Sequence, residues 1–248
     1  VRPNAGIEIW YRRQLERAVG DMHRSTLYWL RAQYRQAGLA QDASPAVMMR
    51  GALKKLARRW QRNFDELATR LADRFSQDVL LNSDASLDSA LQQAGFTVPF
   101  RMTAEMNTAL QASIGENVGL IRSIAQQYHS QVEVLVMQSV SRGRDLGTLT
   151  DALQQRFDIT RRRAAFIALD QNNKATSAMQ AARQQALGIT RGRWRHSHAG
   201  KEPRKSHLKA DGKEFDLKKG MFIDGEWIMP GEKPRCRCTW EAILPGLE

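Results

Sequence analysis

Cysteine is nearly absent from this chain. Only Cys236 and Cys238 occur among 248 residues, with a single residue between them. A disulfide framework of the kind that holds small secreted domains has nothing to be built from, and a reducing compartment or a bound metal explains such a pair better. Long apolar runs are missing too. No stretch approaches the roughly 18 uninterrupted apolar residues of a membrane-spanning helix. The opening Val1-Arg2-Pro3-Asn4 has neither an initiator Met nor the apolar run of a signal peptide. There is no block of five or six like charges, no low-complexity segment and no internal repeat, which excludes a basic tail and a repeat architecture. Neither a GxSxG elbow nor a phosphate-binding P-loop is present, and no carboxylate cluster offers a two-metal nuclease site.

What is abundant is positive charge. Thirty-eight Lys and Arg against 26 Asp and Glu leave +12, with a pI near 10.2. The surplus is spread along the chain, which implies a polyanionic neighbour, most often nucleic acid, met through its phosphates and not read by sequence. A hydrophobic content of 42% with 26% charged residues is that of a folded protein, not a disordered one.

From Ile7 to about Leu187 the pattern is mostly helical. Trp10, Leu15, Met22, Leu30 and Tyr34 fall at loosely helical spacing, with Gly38 as a stop. A clearer stripe follows: Leu53, Leu56, Trp60, Phe64, Leu67, Leu71, Phe75 and Val79 recur every three or four residues, behind Ser44 as cap and Pro45 in the first turn. Lys54, Lys55, Arg58, Arg59 and Arg62 flank it, and a stripe this long needs a helical partner. A shorter helix, Leu87 to Ala94, is expected to end at Gly95, and Phe96 to Phe100 reads as extended because Val98 precedes a proline. Thr103 opens another long helix carrying Met106, Leu110, Ile114, Ile121, Ile124, Tyr128, Val132, Leu135 and Val136. Gly115 and Gly119 either weaken that helix or permit a close helix contact. The stretch Arg142 to Gly147 breaks the pattern. Thr148 and Thr160 are expected to cap two further helices, Leu149 to Phe157 and Arg161 to Leu187, the second ending at Gly188.

Beyond Gly188 the character changes to short alternating runs separated by glycine and proline. Asp224-Gly225 signals a hairpin and Pro230-Gly231 another turn. The fold expected is α+β: an elongated N-terminal bundle of long helices followed by a small β-rich C-terminal domain. It divides into a helical hairpin region at 1–100, a second helical region at 101–188 and the β-rich unit at 189–248.

Chemistry concentrates in that last unit, which holds His196, His198, His207, Lys205, Arg204, Asp211 and both cysteines. On strands, His196 and His198 would share one face and Cys236 and Cys238 another. Two thiolates with His198 and His207 would make the tetrahedral shell of a structural zinc, although one intervening residue is shorter than the usual two to four. The alternative treats the cysteines as small half-buried residues and the histidines as hydrogen-bonders in turns. A metal-free nuclease would use the same histidines with Arg204 and Lys205. Upstream, Asp170-Gln171-Asn172-Asn173-Lys174 reads as a solvated helix face, with a buried hydrogen-bond network as the alternative. Arg161-Arg162-Arg163 reads as a basic face at the start of its helix, where the dipole disfavours cations.

An ordered set of these residues resembles the phage Mu F-like head morphogenesis family, the minor head or minor capsid proteins. The set runs from Ala164 to Leu244: Ile167-Ala168-Leu169-Asp170-Gln171, Ala182-Arg183-Gln184-Gln185-Ala186-Leu187-Gly188-Ile189, Trp194, His196-Ser197-His198-Ala199-Gly200-Lys201, Pro203-Arg204, His207, Asp211-Gly212-Lys213, Phe215, Pro230-Gly231-Glu232 and Cys236-Arg237-Cys238. One departure is Leu169, where many members carry Arg.

The resemblance implies a virion component of few copies at the portal vertex, acting in head morphogenesis and in DNA packaging or delivery. It would be found in the head interior or portal vertex, and in the host cytoplasm during assembly. Its implied partners are the portal protein, the major capsid or scaffold protein and packaged double-stranded DNA. No catalytic role is expected, and no cofactor beyond the structural zinc. Lys54, Lys55, Arg58, Arg59, Arg161, Arg162, Arg163, Arg204 and Lys205 are the candidate contacts to DNA or a partner. The competing readings are an effector nuclease or toxin using the C-terminal His/Lys/Arg cluster, and a general DNA-binding module.

Overall fold

The computed structural model describes residues 2–37, 45–142, 146–198 and 202–244. Four long helices come first: α1 (Ala5–Ala37), α2 (Pro45–Gln93), α3 (Ala104–Ser141) and α4 (Leu146–Ala186). They are followed by β1 (Arg191–Arg195), α5 (Lys205–Ala210), β2 (Glu214–Asp216), β3 (Met221–Ile223), β4 (Glu226–Ile228) and β5 (Thr239–Ile243). The class is α+β, long helices and then a small antiparallel β region. The chain forms two compact units, one made of Trp10–Leu71 with Glu116–Ala168, the other of Val1–Ile9, Ala72–Gly115 and Leu169–Glu248.

The described part of the first unit is built of helices. Tyr11, Leu15, Met22, Phe64, Ile121 and Tyr128 are fully buried in it, and several polar groups that enter the core are paired there. The Tyr11 hydroxyl donates to Asn117 Oδ1 (2.8 Å), His23 Nδ1 meets the Tyr128 hydroxyl (2.8 Å), and the Trp60 indole N–H donates to Ser25 Oγ (3.2 Å). The His23 ring also stacks on Phe157, 4.5 Å between centroids.

Two helices run on where breaks are expected from the sequence. The polar run Asn82 to Ser86 lies inside α2, so Leu87 starts no helix of its own. Its side chains are satisfied sideways: Ser86 Oγ bonds back to the Asn82 carbonyl (2.7 Å), and Asn82 Oδ1 accepts from Asn4 (2.8 Å). Likewise Thr160 caps nothing. It is buried mid-helix in α4, with its hydroxyl on the Arg156 carbonyl (2.9 Å), and Thr148 lies within the same helix. The dipole argument for Arg161-Arg162-Arg163 lapses with that break, since all three are interior to α4. Thr103 does cap α3, accepting the Met106 N–H at 3.3 Å. Gly115 and Gly119 mark no close helix contact, for a side chain added at either would meet open space. The expected stop at Gly38, the cap at Ser44 and the core of the break at 143–145 lie outside the described residues.

In the second unit, β1 is the centre of a three-stranded antiparallel sheet in the order β2-β1-β5, and β3 and β4 form a separate hairpin. Trp194 pairs with Trp240 across β1 and β5, and Gly192 with Phe215 and Ala242. Alternation along β1 buries Gly192 and Trp194 and turns Arg191, Arg193 and Arg195 outward. There they meet acids of the neighbouring strands: Arg191 and Arg193 share Glu214, and Arg195 reaches Glu241 at 2.6 Å. No side chain fits at 192, where a Cβ would lie 2.7 Å from Trp240 Cδ1. The hairpin turns at Asp224-Gly225 as expected, with φ of 54° and 88°, the left-handed pair of a tight turn. The core gathers Ala181 and Ile189 with Trp194, Phe215, Leu217, Ile223, Ile228, Cys236, Cys238 and Trp240.

Candidate functional site

Two short segments and one helix face build the site. Arg204 and Pro203 lead into α5, whose single turn and a half buries His207 and Ala210. The loop between β4 and β5 descends from the Pro230-Gly231 turn to Cys236 and Cys238. Those cysteines sit in irregular backbone just before β5 and not on a strand, as His196 and His198 lie just after β1. Arg235 holds a left-handed conformation (φ 58°), with its N–H on the Asp170 carboxylate at 3.0 Å, and this bend delivers Cys236 inward.

His207, Cys236 and Cys238 converge. Their ligand atoms lie within 4.8 Å of one another, and all three residues are buried, at 3%, 3% and 5% exposure. His207 Nδ1 is 3.5 Å from the Cys236 sulfur and 3.6 Å from that of Cys238. The Trp194 ring meets the His207 ring edge-on at 5.5 Å. The Cys238 thiol and the N–H groups of Cys238 and Gly231 hold Cys236 well below the usual thiol range, against its burial. Cys238 is pushed up by its Cys236 neighbour and by burial.

His198, the fourth expected ligand, is not in this group. It is exposed, and its Nε2 pairs with Asp211 at 3.2 Å. Asp211 also accepts the His196 N–H (2.9 Å), the bond that chiefly lowers its pKa. His196 Nδ1 in turn accepts the His198 N–H at 3.0 Å. The segment 199–201 between them and α5 lies outside the described residues.

The third part of the site is a polar face of α4. Asp170, Gln171, Asn172 and Asn173 are 2–5% exposed, so the solvated-face reading of this run gives way to its alternative. Asn173 Nδ2 donates to the Cys236 carbonyl (3.0 Å), Gln185 to the Leu217 carbonyl (3.0 Å), and the Trp240 indole N–H to Gln184 Oε1 (2.8 Å). Arg183, 4% exposed, pairs with Asp84 at 2.6 Å. Gly231 lies against the same face, 3.3 Å from the Asn173 carbonyl to its missing Cβ. A polar stripe at Asp170, Asn173, Ser177, Gln180 and Gln184, spaced three and four apart, was the available signal for this seat.

The basic candidates fall in both units. Lys54, Lys55, Arg58, Arg59, Arg161 and Arg162 are exposed on α2 and α4. Arg163 points inward, donating to Ser123 Oγ at 2.8 Å, and burial beside Arg156 lowers its pKa. Arg204 is held on the Pro234 carbonyl (2.8 Å), and Lys205 is exposed at the start of α5.

Residues 130–241 match the family model described as Phage Mu protein F like protein. A protein of Haemophilus influenzae that carries only the name "Uncharacterized protein" is 27% identical over 254 residues, covering 100% of this chain and 56% of its own length. This chain therefore spans little more than half of that relative. No solved structure matches.

Proposed function

We propose that this chain is a minor head protein of a tailed phage or prophage, acting in head morphogenesis at the portal vertex and in packaging or delivery of DNA. The observation that carries the reading is the match of residues 130–241 to the Mu F-like family. The geometry supports it: residues of that resemblance seat the β-rich region on α4 through Asp170, Gln184 and Gln185, and others, Trp194, His207 and Cys236, meet one another inside that region.

Its chemistry is that of a structural part. His207 is enclosed by sulfur and indole, and His198 is tied to Asp211, so the two do not make the exposed acid–base pair a nuclease needs. The exposed cations of α2 suit non-specific contact with packed double-stranded DNA, where counterion release drives binding. The test is co-purification. Tagged chain expressed with the portal protein of its own phage should retain that protein through gel filtration. Failure to do so, together with absence from purified procapsids, would remove the reading.

A further inference from the structure

We propose that His207, Cys236 and Cys238 bind one zinc ion, which staples α5 to the loop ahead of β5. The case is geometric. Zn–S bonds of about 2.3 Å and Zn–N bonds of about 2.0–2.1 Å meeting at a tetrahedral angle separate sulfur from nitrogen by about 3.5–3.6 Å. The two Nδ1-to-sulfur distances, 3.5 and 3.6 Å, are that edge length.

A hydrogen-bond account of the same three groups falls short. One ring nitrogen donates or accepts a single hydrogen bond, yet two sulfurs stand at equal range from it. Three soft and borderline donors around one point, all 5% exposed or less, are instead the composition and burial of a zinc site.

The surroundings hold the trio in place. Asn173 fixes the Cys236 carbonyl, Asp170 fixes the Arg235 N–H, and Arg204 fixes the Pro234 carbonyl, so the loop carrying both sulfurs is tied on both sides. The Ser197 N–H addresses the Cys238 sulfur. Three protein ligands leave one corner of the tetrahedron to a further donor, and His196, which lies within electrostatic reach of both Cys236 and His207, is the imidazole in that neighbourhood. The left-handed Arg235, just ahead of Cys236, turns the chain toward His207.

The experiment uses the full chain, purified under reducing conditions and assayed for zinc and free thiols, then exchanged into cobalt. About one equivalent of zinc is expected, and cobalt should give a thiolate charge-transfer band with the intense visible bands of a tetrahedral ion. Cys236→Ser, Cys238→Ser and His207→Ala should each lose the metal, while His198→Ala retains it. Should those three variants not fold, the wild-type stoichiometry and cobalt spectrum decide alone. Less than about a tenth of an equivalent, with both thiols titrating freely and no cobalt band, would overturn the proposal. Loss of the metal in His198→Ala would overturn the assignment of the trio.

Discussion

Single side chains in the second unit act mainly by closing hydrogen bonds that burial would otherwise leave open. Gln184, 1% exposed, accepts the indole N–H of Trp240, 2% exposed. Gln184→Ala should therefore destabilise this unit by about 1–3 kcal/mol, the cost of an unpaired buried donor, read as a lowered midpoint of tryptophan fluorescence in urea. At His129 the issue is charge. Burial lowers its pKa to about 4, and burial lowers His23 in the same direction. The unfolded chain binds protons on these rings from about pH 6.5 downward while the folded chain refuses them, so stability is fully present above that pH and falls as pH drops toward 4. The loss assigned to His129 between pH 7 and pH 5 is about 2 kcal/mol. A His129→Leu variant should show a flatter pH dependence in denaturant titrations; an unchanged slope would contradict the buried neutral ring. These residue roles were only half legible beforehand. The conjunction of His207 with both cysteines could be read from their chemistry, but which histidine joined them depended on the exposed turn that gives His198 to Asp211.

Helices show where pattern reading succeeds and where it stops. Apolar stripes on α2 and α3 announced themselves because the same three- and four-residue spacing lies over long lengths, and Asp224-Gly225 specified its hairpin through backbone geometry alone. Polar interruptions misled. Asn82 to Ser86 and Asp158 to Thr160 look like helix ends, since such residues compete locally for backbone groups. Here Ser86 and Thr160 bond to carbonyls four residues back without ending the helix. The buried face of α4 was hidden for a related reason, because polarity normally signals solvent and only the β-rich region, folded against it, supplies the partners. Continuity of α4 gives a sharp test. Proline is tolerated just after a cap but costs about 3 kcal/mol or more inside a helix. Arg161→Pro should therefore lower the thermal midpoint of the helical circular dichroism signal sharply. Tolerance of that proline would restore the boundary at Thr160.

For the whole molecule the quantities to measure are charge and the proposed placement in a particle. Net charge of +12, with Lys54, Lys55, Arg58 and Arg59 all exposed on one stretch of α2, predicts double-stranded DNA binding that weakens steeply with salt and ignores sequence. Replacing those four by Ala should reduce the slope of log K against log salt by about 0.9 for each phosphate no longer neutralised, measured by fluorescence anisotropy across a salt series. Placement is tested more directly by counting. On the proposed reading, quantitative mass spectrometry of purified procapsids and mature heads should find this chain at a small fixed ratio to the portal protein, far below the major capsid protein. Its absence from both particles, or a ratio that varies freely between preparations, would contradict a role in building the head.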